Sequence, residues 1–332
     1  MTTLLDIKAL EGVISMGDAI GLLEQTLPHE SAGKTTVSPK FVTDFESGAI
    51  RILFAADRED GYCAMKAYHS IHGVGTRYVV LLYRISDGEL VAMLDGRVIT
   101  DLRTGAASGV IARKVPIQGP VTVGIIGSGN QARTQLESLA TAYTLQGAYV
   151  YSPTTANREA FAAEMSAKLG IPVTAVESAE AAARGRQVVA TASNARSAQP
   201  ILHGEWLQGC RLLCAVGNTR PAFAEIDTRC FADAALVVVD SLHAIEEAGD
   251  LRQAVAANVL PESKRTTLAQ IVERKTPVPD RGLVVFKSVG TALQDLALAT
   301  RYYELLKDKP GTAQGPEIAS LREKAKRKSK TA

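Results

Sequence analysis

A short glycine-containing segment, Gly127–Ala132, has the residue types and spacing that bind the phosphates of a nucleotide. Gly127 allows a tight turn, Gly129 lets the backbone approach a pyrophosphate, and Ala132 is small enough for close helix–strand packing. The segment follows the apolar run Val121–Ile126 and precedes a helical pattern, so the N–H groups and dipole of a helix start would face the pyrophosphate. We therefore predict a dinucleotide cofactor bound by Gly127, Ser128, Gly129, Asn130, Gln131 and Ala132.

The end of the next predicted strand bears on the choice of cofactor. Strand Ala148–Tyr151 does not end in the acid that binds the adenine ribose in NAD enzymes. Hydroxyl groups and a guanidinium follow instead, at Ser152, Thr154 and Arg158. These groups suit a 2′-phosphate better than a free ribose diol, and no carboxylate is present to repel it. The segment favours NADP, and NAD stays open because Arg158 could be an ordinary surface residue of a helix.

A parallel sheet is needed to position these residues, and the centre of the sequence has the pattern of one. Apolar runs alternate with helical stretches across short gaps, which implies right-handed crossovers and a doubly wound Rossmann sheet. The predicted strands are Val121–Ile126, Ala148–Tyr151, Val173–Val176, Gln187–Thr191, Leu212–Val216, Leu236–Val239 and Leu283–Phe286. The predicted helices between them include Asn130–Tyr143, Arg158–Leu169 and Ala179–Ala183. We assign residues 116–299 to this α/β dinucleotide-binding domain.

The first 115 residues have a different pattern, in which strand-like segments are separated by glycine-rich turns. This pattern predicts a meander or small mixed sheet built from Arg51–Ala55, Cys63–Tyr68, Tyr78–Arg84 and Leu90–Asp95. Helices are predicted over Met16–Gln25, Arg103–Arg113 and Thr291–Leu306. We expect residues 1–115 and 300–332 to share a smaller α+β domain. The basic run from Arg322 to Lys330 is predicted to be a solvated, frayed tail.

Composition and charge exclude several classes of protein. Hydrophobic residues make up 46% of the chain and charged residues 22%, as in globular rather than disordered proteins. The net charge of +2 gives no indication of a nucleic-acid partner. No signal peptide and no apolar run long enough to span a bilayer is apparent. The four cysteines form no CxxC pair, and no metal site is predicted. We predict a cytoplasmic protein without a metal, nucleic-acid or membrane partner.

Several separated stretches match one known family in residue type and order. They are Met65–Lys66, Leu102–Ser108, the Gly127 loop with Asn130–Ala132, Gly217–Pro221, Glu225–Asp227, Val239–Ser241, Ala248–Leu251, Phe286–Ala292 and Gln294–Asp295. On these stretches the sequence resembles the ornithine cyclodeaminase/mu-crystallin family over nearly its whole length. The resemblance implies a homodimer whose N-terminal domain binds substrate and makes the dimer contact, and whose Rossmann domain binds a nicotinamide cofactor.

Basic residues match the substrate-binding positions of that family. Arg103 would bind a carboxylate as a bidentate fork, and Lys66 would place a charge near the imine or carboxylate, with a catalytic role. A further family arginine corresponds to Lys40, where an ammonium replaces a planar fork. The ordinary alternatives are a helix-start Arg103 paired with Asp101 and a Lys66 that faces solvent. Residues that follow Lys66 are candidates for lining its pocket: Tyr68, His69, His72, Arg77 and Tyr78.

Asp240 matches the catalytic aspartate of the family and lies at the end of an apolar strand, where open α/β sheets place their sites. It would orient the substrate nitrogen or take part in proton transfer. The ordinary alternative is an N-cap for the next helix. Cofactor contacts are also predicted for Thr104, in a matched stretch, and for Ser288, Val289 and Gly290, which follow the last predicted strand.

Members of the family catalyse several different reactions. All of these pass through an imine beside a carboxylate and transfer a hydride to or from a nicotinamide. Our first hypothesis is an NAD(P)-dependent reductase of ketimines or 2-imino acids, equivalently an amino-acid dehydrogenase, acting on a small amino or imino acid. The alternative is an ornithine or lysine cyclodeaminase with catalytic NAD. A third hypothesis is a non-catalytic, crystallin-like protein that binds NADP, although the presence of Lys66, Arg103 and Asp240 disfavours it.

Overall fold

The computed structural model describes residues 1–316, and these residues belong to two compact units. The first unit contains Met1–Ile14, Gly33–Ile99 and the segment that begins at Ala292. The second contains Ser15–Ala32 and Thr100–Thr291. The basic tail from Arg322 to Lys330 lies outside the described residues.

The strands and helices of both units are as follows. The strands are β1 (Thr3–Leu5), β2 (Thr35–Val37), β3 (Phe41–Phe45), β4 (Gly48–Asp57), β5 (Tyr62–Ile71), β6 (Gly75–Arg84), β7 (Leu90–Asp95), β8 (Val121–Ile126), β9 (Leu145–Tyr151), β10 (Val173–Ala175), β11 (Val188–Thr191), β12 (Leu212–Ala215), β13 (Ala234–Val239), β14 (Arg265–Thr267), β15 (Leu283–Lys287) and β16 (Ala313–Gln314). The α-helices are α1 (Ile7–Leu10), α2 (Met16–Ser31), α3 (Gly96–Lys114), α4 (Asn130–Ala142), α5 (Thr155–Leu169), α6 (Ala179–Ala183), α7 (Thr228–Ala232), α8 (Ala244–Glu247), α9 (Gly249–Ala256), α10 (Leu268–Val272) and α11 (Ala292–Leu306). Two short 3-10 helices cover Gly204–Trp206 and Glu262–Lys264.

The first unit is built on one mixed sheet with the order β16-β1-β7-β6-β5-β4-β2, and β3 also pairs with β4. Consecutive strands β4 to β7 are antiparallel neighbours, which is the meander that the sequence predicts, whereas β1 runs parallel to β7. Helix α11 packs against β4, β5 and β6. The residues that it buries between Ala292 and Leu306 are mostly apolar, and Gln294 and Asp295 are buried among them. The α+β character predicted for this part of the chain is confirmed.

The second unit is built on an eight-stranded sheet with the order β10-β9-β8-β11-β12-β15-β13-β14, in which every neighbouring pair is parallel. The central strands β8, β11, β12 and β15 are buried along nearly their whole length, as strands covered on both faces must be. Strand order reverses between β8 and β11, so the carboxyl ends of these two strands flank the crevice where Rossmann folds bind dinucleotides. The predicted Rossmann fold is confirmed.

The two compact units begin and end at residues other than the predicted domain boundaries. Helix α2 and the part of α3 that starts at Thr100 belong to the second unit, because α2 packs against α4 and α10 and Gly105 lies against Thr134 of α4. Helix α11 belongs to the first unit from its start. None of the helices within residues 1–316 combines the length and the apolar character that crossing a membrane requires.

Candidate active site

The glycine loop after β8 has the geometry that a pyrophosphate needs. Gly127 has a φ of +119°, and a Cβ there would overlap the carbonyl oxygen of Ala192, so both backbone shape and packing require glycine. At Gly129 a Cβ would meet no protein atom within 4 Å, so the missing side chain leaves space that the protein does not fill. Gly129 also begins α4 without a side-chain cap, and Asn130 is the first residue of that helix. The first-turn N–H groups of α4 therefore fit a bound phosphate.

Hydrogen bonds connect α3 with α4, and two of the residues involved, Thr104 and Gln131, are predicted to bind the cofactor. Gln131 Nε2 donates to Asp101 Oδ1 at 2.7 Å, and Gln135 Nε2 donates to the carbonyl of Thr104 at 3.2 Å. The hydroxyl of Thr104 donates to the carbonyl of Thr100, one turn earlier in α3, at 2.7 Å. The proton of the Thr104 hydroxyl is thus used within its own helix, which leaves only its lone pairs for a ligand.

The residues predicted to face the adenine ribose lie together at the end of β9. Ser128 Oγ, in the glycine loop, donates to Ser152 Oγ at 2.9 Å. Arg158 Nη1 donates to the carbonyl of Ser152 at 3.2 Å, and Nη2 pairs with the carboxylate of Glu177. The expectation that no carboxylate lies near these groups is therefore wrong, because Glu177 comes from the neighbouring strand end and not from the segment after β9. Thr154 is the N-cap residue of α5, and its side chain makes no capping hydrogen bond. The alternative of a surface Arg158 is wrong, because its side chain is only 5% exposed.

Asp240 is buried directly after β13 and is held by the backbone of the loop after β15. Its Oδ2 accepts hydrogen bonds from the N–H groups of Val289, at 2.6 Å, and Gly290, at 2.7 Å. Helix α8 begins only at Ala244, with His243 at its N-cap position. Asp240 therefore does not cap that helix, and two N–H donors fix the orientation of its carboxylate.

Arg103 lies against the same loop. Gly290 has a φ of +77°, and a Cβ there would overlap Arg103 Nη1 and lie 2.7 Å from the guanidinium carbon. The guanidinium therefore packs directly on the backbone of Gly290, whose N–H binds Asp240. The turn at Val289 and Gly290 thus brings two of the predicted site residues, a cation and an anion, to one place.

Helix α2 contributes a carboxyl group that the sequence did not single out. Burial raises the pKa of Glu30, the negative charge of Asp240 raises it further, and His243 lowers it. Glu30 is thus close enough to Asp240 for their charges to interact.

The lysine that ends β15 is buried in a polar network instead of facing a ligand through its side chain. Lys287 Nζ lies 3.0 Å from Asp250 Oδ2 and donates to the carbonyl of Asn218 at 2.7 Å. Asp250 Oδ1 in turn accepts the N–H of Glu225 at 3.1 Å. Ser288, the first residue after β15, donates its N–H to the carbonyl of Ala215 at the end of β12. The network connects the loops after β12 and β15 with the start of α9.

The Glu225 carboxylate extends this network to a third loop. Its Oε1 accepts the N–H of Ser193 at 2.7 Å, after β11, and its Oε2 accepts the N–H of Gly217 at 2.9 Å, after β12. A Cβ at Gly217 would overlap Glu225 Oε1, so this approach requires glycine. These loops lie at the half of the sheet that takes the nicotinamide nucleotide in Rossmann folds.

In the first unit, Lys66 is buried and paired, which excludes the alternative of a lysine facing solvent. Its Nζ donates to Asp295 Oδ1 at 2.7 Å, and both side chains are 2% exposed. The stacked rings of Tyr68 and Tyr78 lie 5.8 and 5.3 Å from the same Nζ. Lys40 is half-buried in the connection between β2 and β3.

Sequence reasoning missed Glu177, and it gave no role to Glu225, Asp250 and Asp295, although these three acids lie in stretches that match the family. One readable signal exists for Asp295, which stands in the apolar stretch Ala292–Ala299 on the buried face of a helix. An acid there needs a buried partner, although the sequence does not say which one.

The ornithine cyclodeaminase/mu-crystallin family model matches residues 1–310. The chain belongs to this family. A delta(1)-pyrroline-2-carboxylate reductase of Bacillus cereus is 32% identical over 230 residues, which are 68% of this chain and 70% of the relative. Among solved structures, the Thermococcus litoralis delta(1)-pyrroline-2-carboxylate reductase in complex with NADH and L-proline has a TM-score of 0.87 and 29% identity, and the match covers 95% of this chain and all of that one. An archaeal alanine dehydrogenase dimer with bound NAD has a TM-score of 0.85 and 26% identity, covering 96% of this chain and 99% of that one.

In this family member we expect Gly290→Ala to displace the Arg103 guanidinium and to lower kcat/KM for a carboxylate substrate about 100-fold, through a rise in KM. Gly209→Ala is the matched control, because Gly209 has a φ of +78° in the same unit and a Cβ there meets nothing within 4 Å. Both variants should lose about 1 kcal/mol of stability from the backbone alone. Equal kinetics in the two variants, measured beside their unfolding curves, would contradict the proposed contact.

Glu225→Gln should weaken binding of NADH or NADPH about tenfold, because the N–H of either Ser193 or Gly217 then loses its acceptor. ADP should bind as before, since these loops lie at the half of the sheet that takes the nicotinamide nucleotide. Both affinities are measured by calorimetry. Glu205→Gln, at an exposed position of the same unit, is the control. If ADP and the full dinucleotide weaken equally, Glu225 only stabilises the fold.

Lys66→Met and Asp295→Leu should each cost about 3–5 kcal/mol, because each leaves one buried charge without its partner. The double variant should cost far less than their sum, since no charge then remains to be buried. Urea unfolding measures all three. The exposed pair Lys34–Glu59, also at 2.7 Å in the first unit, is the control and should show coupling below about 1 kcal/mol. Additive losses for Lys66 and Asp295 would refute the coupling.

Proposed function

We propose that the chain is a nicotinamide-dependent reductase of small 2-imino acids, equivalently an amino-acid dehydrogenase in the reverse direction. The observation that carries this proposal is the turn at Val289 and Gly290, which holds the Asp240 carboxylate through two N–H groups and has the Arg103 guanidinium packed on it. A 2-imino acid carries an anionic carboxylate beside a protonatable nitrogen, and this cation and anion match those two groups. The relatives include reductases and dehydrogenases that act on carbon–nitrogen bonds, and these bear out the enzyme class predicted from the sequence.

Each residue has a separate task in this proposal. A nicotinamide held at the glycine loop of Gly127 would supply the hydride for the imine carbon. Arg103 binds the substrate carboxylate and thereby fixes the position of the α-carbon. The guanidinium can do so because its packing against the backbone of Gly290 keeps it in one position. Asp240 forms a hydrogen bond with the substrate nitrogen, gives it a proton when the imine is reduced and takes the proton back in the reverse, oxidative direction. Lys66 and Lys40 are proposed to add positive charge for the substrate, and Asp295 fixes the position of the Lys66 ammonium.

We propose NADP as the preferred form of the cofactor. No acid stands between Tyr149 and Arg158, where NAD enzymes place the residue that binds the ribose diol. Ser152 and Thr154 offer hydroxyl groups there, and the exposed first turn of α5 adds N–H groups that favour an anion.

A homodimer and a cytoplasmic location complete the proposal. The alanine dehydrogenase among the structural relatives is a dimer. The outer strand β3 of the first unit carries exposed Phe41 and Phe45 and a neighbouring exposed Val42, an apolar strip of the kind that a second subunit covers.

The deciding experiment follows absorbance of the reduced nicotinamide with a panel of imines. The panel contains pyruvate with ammonia or methylamine and the cyclic imines of proline and pipecolate, each with NADPH or NADH. L-Ornithine with catalytic NAD, scored by ammonia release, runs beside it. Net cofactor oxidation establishes the reductase, whereas ammonia released without net cofactor change establishes a cyclodeaminase. If no substrate is turned over, the result would favour the hypothesis of a non-catalytic, crystallin-like protein.

Asp240→Asn should lower kcat by about 100-fold or more and leave cofactor affinity within about twofold, because the amide cannot take up the proton. The carboxamide oxygen still accepts the N–H groups of Val289 and Gly290, so the fold is retained. Steady-state kinetics and calorimetry measure the two effects. Turnover that survives the substitution would exclude Asp240 from proton transfer.

A further inference from the structure

The carboxyl end of β9 is where a Rossmann domain distinguishes the ribose 2′-hydroxyl from a 2′-phosphate. In this chain that end is formed by Ser152, whose hydroxyl accepts from Ser128 of the glycine loop. The backbone carbonyl of Ser152 accepts from Arg158 at 3.2 Å. The guanidinium of Arg158 is therefore hydrogen-bonded to the residue that would face the ribose of a bound cofactor.

The guanidinium already has an anionic partner, supplied by the next strand. Glu177 follows β10, the strand paired with β9, and its carboxylate pairs with Arg158 Nη2. No second carboxylate contacts Arg158 among residues 1–316, and its Nε has no acceptor there. A buried guanidinium needs one anion, and Glu177 provides it.

The two members of this pair are very different in exposure. The Arg158 side chain is 5% exposed and fixed by α5 and Ser152, whereas the Glu177 side chain is 86% exposed. A carboxylate that is mostly in water gains little from such a contact, so it can leave at small cost. A phosphate, with a charge of about −1.5 to −2, binds a guanidinium more strongly than a carboxylate does.

We propose that Glu177 determines the choice between NADP and NAD, because its carboxylate occupies the place on Arg158 that a 2′-phosphate would take. NADP binds by displacing Glu177 into solvent, and its phosphate then neutralises the buried guanidinium. NAD has no such group, so Glu177 stays on Arg158 when NAD binds. The affinity for NADP is therefore reduced by an internal competitor that does not act on NAD. This inference rests on the proposed nicotinamide-dependent function and concerns the same cofactor site.

Glu177→Gln tests the proposal, since it keeps the size of the side chain and removes the competing charge. We expect the Kd of NADPH to fall about tenfold and that of NADH to change by less than about twofold. Adenosine 2′,5′-bisphosphate and 5′-AMP, used as competitive inhibitors, should show the same contrast and isolate the 2′-phosphate. Glu180→Gln is the matched control, because Glu180 is a neighbouring exposed acid that pairs with Arg184 instead. A tenfold gain in NADPH affinity in this control as well would reduce the effect to general electrostatics and overturn the proposal.

Arg158→Met provides the complementary result. It should abolish the gain caused by Glu177→Gln when the two substitutions are combined, and a gain that persists in the double variant would overturn the proposal. The NADPH and NADH affinities of the native protein and of Glu177→Gln also test the role of Glu177 separately from the proposed NADP preference. If the native protein prefers NADH and Glu177→Gln shifts it towards NADPH, the NADP preference fails and the role of Glu177 stands. If the NADPH to NADH ratio is the same in the native protein and Glu177→Gln, the role of Glu177 fails whichever cofactor is preferred.

Discussion

The buried ion pair between Lys287 and Asp250 is the interaction on which the carboxyl edge of the parallel sheet depends. Lys287 ends β15, and its ammonium also binds the carbonyl of Asn218 after β12, while Asp250 binds the backbone of Glu225. Glu225 then takes up the N–H groups of Ser193 and Gly217. Charges removed from water are tolerated only when polar partners satisfy them, and here the partners are mostly backbone groups of the loops. No loop of this group can move without exposing a charge to apolar surroundings, so the network makes the edge rigid.

The network also fixes the groups proposed to act on the substrate, because the chain connects them directly to Lys287. Val289 and Gly290 follow Lys287 by two and three residues, and their N–H groups orient the Asp240 carboxylate. The Arg103 guanidinium packs on Gly290. One turn therefore fixes both the Asp240 carboxylate and the Arg103 guanidinium, which come from distant parts of the sequence. The buried network holds that turn in place. Such preorganisation lets charged groups act on a substrate without first rearranging.

The sequence predicts those features that are encoded locally. The long strands β4 to β8 and the glycine loop after β8 have periodicity or spacing that a short window contains, and each was predicted within a few residues. Strands β1, β14 and β16 are two or three residues long and carry no such signal. The site divides in the same way. Asp240 and Arg103 could be identified by type and position, but their shared contact at Gly290 joins residues from 103 to 290 and depends on tertiary packing alone.

Lys66, Lys287 and Arg158 are almost fully buried and paired, and the exposure of their partners separates their roles. Lys66 with Asp295 and Lys287 with Asp250 are pairs in which neither side chain reaches solvent. Separating such a pair would leave two unsatisfied charges in the interior, so both pairs are fixed parts of the fold. Arg158 with Glu177 differs, because its anion lies mostly in water and its separation would leave only the guanidinium unsatisfied. An anion of a ligand could pair with the guanidinium in place of Glu177. Arg158 is therefore the cation that we propose to exchange its partner for a ligand, whereas Lys66 and Lys287 keep theirs. The cost of burying a charge thus supports the proposal that an anionic group of the cofactor binds at Arg158.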